Sequence, residues 1–142
     1  MRQVDAAADA GADFIKVFSD VSAASWRAVI DASRRRSLPV MGHIPAGVSV
    51  LAAAQAGQRS DEHLTQIFEA CSTIERSVLD ERRNLEGEAL VARGDAQESR
   101  VLDAYDQRTC DHVAAALAAS GQAQVPTLIL PYVESKPAGH AL

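Results

Sequence analysis

The sequence predicts an α/β protein with a parallel sheet, and two patterns carry that reading. Three Ala-rich stretches each stop at a glycine before an apolar run: "DAAADAGADFIKVF" around Gly11, "LAAAQAGQRSDEHL" around Gly57 and "VAAALAASGQAQVPTLIL" around Gly121. Each glycine falls where a helix C-cap needs a left-handed residue, and the residues after it suit a short αβ loop. A fourth strand candidate, Val40-Met41, follows Leu38-Pro39. Strands alternating with helices imply parallel strands joined by right-handed crossovers.

Taken in order, the chain opens on the end of a helix and enters a strand at about 12 to 17, "ADFIKV". In "SAASWRAVIDASRRR", Trp26, Val29, Ile30 and Ser33 recur at helical spacing, and Ser22 or Ser25 suits the N-cap, giving a helix at about 22 to 36. Strands at about 39 to 43 and 59 to 63 flank a helix at about 48 to 56, and a last strand is expected at about 125 to 130. Between the last two strands the rhythm breaks. "TQIFEACSTIERSVLDERR" is helical, "NLEGEALVARGDAQES" reads as polar and irregular, and Val101, Leu102, Tyr105, Val113 and Leu117 mark one long amphipathic helix. An excursion from about 65 to 120 between two strands reads as a helical insertion or lid.

A chain of 142 residues fits one domain, 1–142. With 14 basic and 19 acidic residues the net charge is -5, which argues against nucleic acid or an anionic membrane as the main partner, and against a helix-turn-helix reading of the adjacent helices. The basic run Arg34-Arg35-Arg36 suits the solvated end of a helix, where cations complement the dipole. No apolar run approaches the roughly 20 residues of a spanning helix. No signal-peptide pattern is seen, so a cytoplasmic location is the default expectation. Cys71 and Cys110 are too few and too far apart for a disulfide framework or a zinc knuckle, and are expected to be buried, reduced thiols.

In parallel α/β sheets, working residues sit where strands end and βα loops begin. Lys16, His43 and His63 meet that condition at three successive strand ends. Singly, each has a structural explanation: a solvated lysine, or a hydrogen-bonded histidine. Together they are suggestive, because neighbouring strands lie about 4.8 Å apart and their end residues can converge on one ion. Two neutral imidazoles with an oxygen donor and a water make an open, catalytic-type zinc site. Lys16 can join only if it loses its proton and is carboxylated by carbon dioxide to a carbamate.

"GADFIKVFSD", "LPVMGHIPAGVS", "AAQAGQRSDEHL" and "QVPTLIL" resemble, in order and spacing, the amidohydrolase superfamily, in its imidazolonepropionase-like and prolidase-like branch. The resemblance runs from about Val4 to about Leu130. It implies a partial (β/α)8 TIM-type barrel, about strands four to seven, whose fourth to sixth strands end at Lys16, His43 and His63, with "PTLIL" as the seventh. It further implies that Lys16, as a carbamate, bridges two divalent metals, most fittingly zinc, while His43 and His63 bind one of them. The implied reaction is attack of a metal-activated water on an amide or peptide-like carbonyl of a small-molecule or dipeptide-like substrate.

The departures are as informative. The family's His-x-His pair on the first strand and its aspartate on the eighth, the general base, have no counterpart here. His112 reads as a helix-face residue and His140 as a solvated tail residue. Half a barrel leaves sheet edges and an apolar face uncovered. The chain is therefore expected to be a fragment, to associate with a missing half or with itself, or to be a remnant; the first is favoured. Two other classes stay open: a non-catalytic α/β interaction module, and a mononuclear deaminase-like relative without the lysine carbamate.

Overall fold

The computed structural model describes residues 2–129. Helix α1 (Arg2–Asp9) leads into β1 (Ile15–Val17), then α2 (Ala23–Arg35), β2 (Val40–Gly42), α3 (Val50–Gln55) and β3 (Ser60–Glu62). Four helices follow: α4 (Ile67–Ala70), α5 (Glu75–Arg82), α6 (Gly87–Asp103) and α7 (Gln107–Ser120). The described part closes with β4 (Ala123–Val125).

Helix α2 begins where its sequence lets it. Ser22 is the N-cap, and its hydroxyl accepts from the Ser25 amide at 3.2 Å. Trp26, Ile30 and Ser33 are buried on one face, as the spacing predicts, and Ala32 joins them. Its last turn carries Arg34 and Arg35, and the Arg36 cap pairs with Asp9 and Asp5, tying α2 to the end of α1.

Strand β1 pairs in parallel with β2, with Lys16 opposite Met41, and β3 pairs in parallel with β4, with Asp61 opposite Gln124. Between β2 and β3 the regular ladder is absent, yet the strands lie side by side: the Arg59 amide donates to the Val40 carbonyl at 2.7 Å, and the Gly42 amide to Ser60 Oγ at 3.0 Å. These contacts advance together along both strands, so β2 and β3 also run parallel. The buried Gln58 side chain fills the gap. Its Nε2 donates to the carbonyls of His43 (3.0 Å), Ser60 (3.1 Å) and, more weakly, Gly42 (3.4 Å), while its Oε1 accepts from Trp26 Nε1 at 2.8 Å. The order across the strands is therefore β1, β2, β3, β4, and all four C-terminal ends fall on one side.

Gly42 is required by contact. It has φ +110°, and a Cβ there would lie 2.5 Å from the Val17 carbonyl oxygen, closer than any real Cβ comes. A side chain at Gly42 would push β1 and β2 apart directly beside His43.

Four expectations are corrected. The last strand is Ala123–Val125, not 125–130. Pro126 lacks the amide a ladder needs, Thr127 has φ 48°, and Leu128 and Ile129 are exposed; Leu130 lies outside the described residues. The single long helix is two, because Asp106 caps α7, accepting from the Thr109 amide at 2.7 Å. The stretch "NLEGEALVARGDAQES" is largely the start of α6, whose buried stripe of Leu90, Gln97 and Val101 includes a polar residue and so hides its period. Cys71 and Cys110 form a disulfide, since the turn after α4 meets the first turn of α7 with the two Cα atoms 4.2 Å apart, a closeness that 39 residues of separation conceal.

Two measurements test this arrangement. Replacing Gln58 with Leu keeps the volume but strands the Trp26 indole N–H and up to three carbonyls, and is expected to cost about 2–4 kcal/mol in urea unfolding. A loss under about 0.5 kcal/mol would mean that Gln58 does not join the strands. The disulfide closes a loop of 39 residues, so reduction is expected to lower stability by about 4 kcal/mol on a chain-entropy account. Thiol titration of the denatured, unreduced chain should find none.

Candidate metal centre

The parallel strands deliver Phe18, His43 and His63 to the same end of the sheet. The His43 amide donates to the Val17 carbonyl at 3.0 Å and the His63 amide to the Val125 carbonyl at 2.8 Å, so each histidine is fixed at the last rung of its strand pair. The two imidazoles meet edge to face, with ring centroids 4.8 Å apart. Phe18 packs against His43 in a tilted arrangement, with ring centroids 5.2 Å apart.

A side chain that the sequence did not single out joins them. Ligand atoms of His43, Glu62 and His63 all lie within 4.8 Å of one another. In a regular strand Glu62 and His63 point to opposite faces. Here β3 ends at Glu62, and His63 takes φ 65°, Leu64 φ 56° and Gln66 φ 65°. Left-handed backbone at non-glycine residues costs on the order of 1–3 kcal/mol each and clusters at functional sites. The twist brings adjacent side chains to one place, which period-two reasoning cannot foresee.

Lys16 reaches the same place differently. Its Nζ pairs with Glu62 Oε2 at 2.6 Å and lies 5.5 Å from the Phe18 ring centroid. Its side chain is 41 % exposed rather than buried. Lys16, Ser19 and His43 line a cavity of about 720 Å³ along β1.

Around these groups the polar atoms are organised. Ser19 Oγ lies 2.7 Å from His43 Nδ1, an orienting contact of the kind that metal-ligating histidines make through their second ring nitrogen. Burial, reinforced by His63 and Lys16, holds His43 below the usual histidine range and favours the neutral, ligating form. His63 Nδ1 is buried with no hydrogen-bond partner among the described residues. Beneath them, Asp61 is buried; Oδ1 accepts from Thr65 Oγ1 at 2.8 Å, and that hydroxyl accepts from the Ile44 amide at 2.9 Å. Asp61 Oδ2 has no partner among the described residues, and burial pushes the carboxyl up to about 7.

Two imidazoles and a carboxylate around one point, with one imidazole held neutral and a buried ring nitrogen unpaired, are a donor set compatible with a divalent metal. His112 is exposed on α7, and His140 lies outside the described residues. Ser19, Glu62 and Asp61 went unread in the sequence; the legible signal was only that each sits within two residues of a strand end or of a predicted ligand.

No protein-family model matches the chain, and no curated protein matches it. Among solved structures, bottromycin amidohydrolase aligns with a TM-score of 0.46 at 21% identity, over 87% of this chain. The chain spans 40% of that protein's length. Among the described residues no helix is long and apolar enough to cross a membrane.

Asp61 gives a pH test in the chelator-treated chain. The unfolded chain loses this proton around the ordinary value of 3.8, whereas the folded chain keeps it to about 7. Stability from the neutral carboxyl is thus complete below about pH 4 and is lost as pH rises towards 7, by up to about 4 kcal/mol. Asp61→Asn is expected to be stabilising at pH 8 and within about 1 kcal/mol of wild type at pH 4.5 in urea unfolding. An equal effect at both pH values would show that Asp61 ionises normally in the fold.

Proposed function

We propose that this chain is part of a metal-dependent hydrolase of amidohydrolase type, acting on amide or peptide-like C–N bonds. The observation that carries the reading is the convergence of His43, Glu62 and His63 at the C-terminal ends of neighbouring strands. On this reading the four parallel strands are about the fourth to seventh of a (β/α)8 barrel, α4 to α7 form a helical insertion beside its mouth, and the rest of the barrel comes from outside this chain. His43 and His63 hold the metal, with zinc the best match to imidazole and carboxylate donors. When bound, the ion supplies Lewis-acid polarisation of a carbonyl and acidifies a water.

The chain's own residues do the rest. Ser19 orients the His43 ring, and burial keeps that ring neutral. Phe18 covers His43 on one side. Lys16 has two readings. As a carbamate it would offer oxygen donors to a second metal, and would have to leave Glu62 to do so. As the ammonium paired with Glu62 at 2.6 Å, it leaves a mononuclear site with Glu62 beside the two histidines. The general base of the reaction has no candidate among these residues.

Metal analysis of the purified chain tests the proposal. Wild type is expected to retain zinc, and His43→Ala/His63→Ala to lose it, with at least a tenfold drop in affinity (about 1.4 kcal/mol). Bicarbonate-dependent metal uptake that disappears in Lys16→Ala selects the carbamate. Turnover of dipeptides by this chain alone is expected to be negligible. A metal-free wild type, or zinc affinity unchanged in the double variant, would leave a structural α/β module instead.

A further inference from the structure

A second cavity, of about 500 Å³, opens where α4, α5 and α6 meet. Its floor includes Arg82, whose side chain is 1% exposed. Two of the three guanidinium nitrogens are satisfied. Nε donates to Gln97 Oε1 at 2.6 Å, and Nη1 to the Ala46 carbonyl (2.9 Å), Gln66 Oε1 (2.8 Å) and Glu69 Oε1 (3.1 Å). Nη2 is buried with no partner among the described residues. A buried donor left unpaired costs about 1–3 kcal/mol, and more when charged, so this nitrogen calls for an acceptor.

Gly94 lies over it. Glycine inside the 17-residue α6 costs about 1 kcal/mol relative to alanine. A Cβ at Gly94 would sit 3.8 Å from both Arg82 Cζ and Nη2, in ordinary van der Waals contact, so any side chain there would lie against the guanidinium. Asp95 and Glu98 line the same cavity and are exposed. With Glu69 already paired to Arg82, these two carboxylates make the opening negative. A simple anion is repelled; a ligand that brings an ammonium together with an acceptor oxygen matches both halves.

We infer that this cavity binds the amino-acid-like end of a small molecule, a carbonyl or carboxylate oxygen on Arg82 Nη2 and an ammonium on Asp95 and Glu98. The proposed contacts use none of Lys16, His43, Glu62 or His63, although Ser19 lines both this cavity and the one beside His43.

The test is a chemical-shift titration of the chelator-treated chain with alanyl-alanine, N-acetylalanine and ethylamine. Alanyl-alanine is expected to bind in the millimolar range, and the other two, each lacking one half, at least about tenfold more weakly. Gly94→Leu, which fills the space over Nη2, and Asp95→Asn/Glu98→Gln, which changes only exposed groups, should each weaken alanyl-alanine about tenfold; His43→Ala/His63→Ala should not. If Gly94→Leu fails to fold, the exposed double variant decides. Absence of alanyl-alanine binding up to about 50 mM would mean that water alone serves Arg82, and binding indifferent to Asp95 and Glu98, or lost with the two histidines, would place the ligand elsewhere.

Discussion

The buried amide of Gln58 is the constraint on which the rest of the molecule depends. Parallel strands β2 and β3 approach without completing a ladder, which leaves carbonyls at their ends in need of donors. One side chain meets that need and at the same time accepts from the Trp26 indole, so the largest core residue and the two central strands share a single polar anchor. Its own backbone carbonyl accepts from Gln122 Nε2 at 3.1 Å, which extends the anchor to the approach of β4. Buried polar networks stabilise only when every member is satisfied, and fixing the His43 carbonyl in this one fixes the backbone of a proposed ligand.

Arg82 plays the corresponding part for the helical segment between β3 and β4. Its guanidinium gathers α4, α6 and the loop after β2. The disulfide between Cys71 and Cys110 closes the same segment onto α7. A buried ion pair is weak evidence for stability as such. What Arg82 does is fix the position of short helices, of which α4 has four residues and would not persist alone.

The candidate site combines stabilised and strained parts. Ser19, Gln58 and Thr65 hold the strand ends by hydrogen bonds, whereas His63, Leu64 and Gln66 sit in left-handed backbone, which the residue types of Leu64 and Gln66 do not favour. The two are linked, because Thr65, in the middle of the strained turn, is bonded both to Asp61 and to the Ile44 amide. The turn is thereby held where Glu62 and His63 face the same point.

The alternation of helices and strands was legible in the sequence because glycine caps and the 3.6-residue period are local signals: α2, β2 and β3 lie within a few residues of where Ser22, Trp26 and the runs before His43 and His63 place them. The pairing of His43 with His63 was legible for the same reason, since parallel strands align their ends. Tertiary structure alone decided the rest. Glu62 joins the site through a backbone twist that breaks strand periodicity; Cys71 meets Cys110, and Arg82 meets Ala46, across long separations in the chain. Pro126 was visible as a letter, but that β4 ends before it, at Val125, was fixed by pairing with β3. Local chemistry sets which elements form, whereas contacts between residues distant in sequence depend on how those elements pack, and no short-range pattern encodes that.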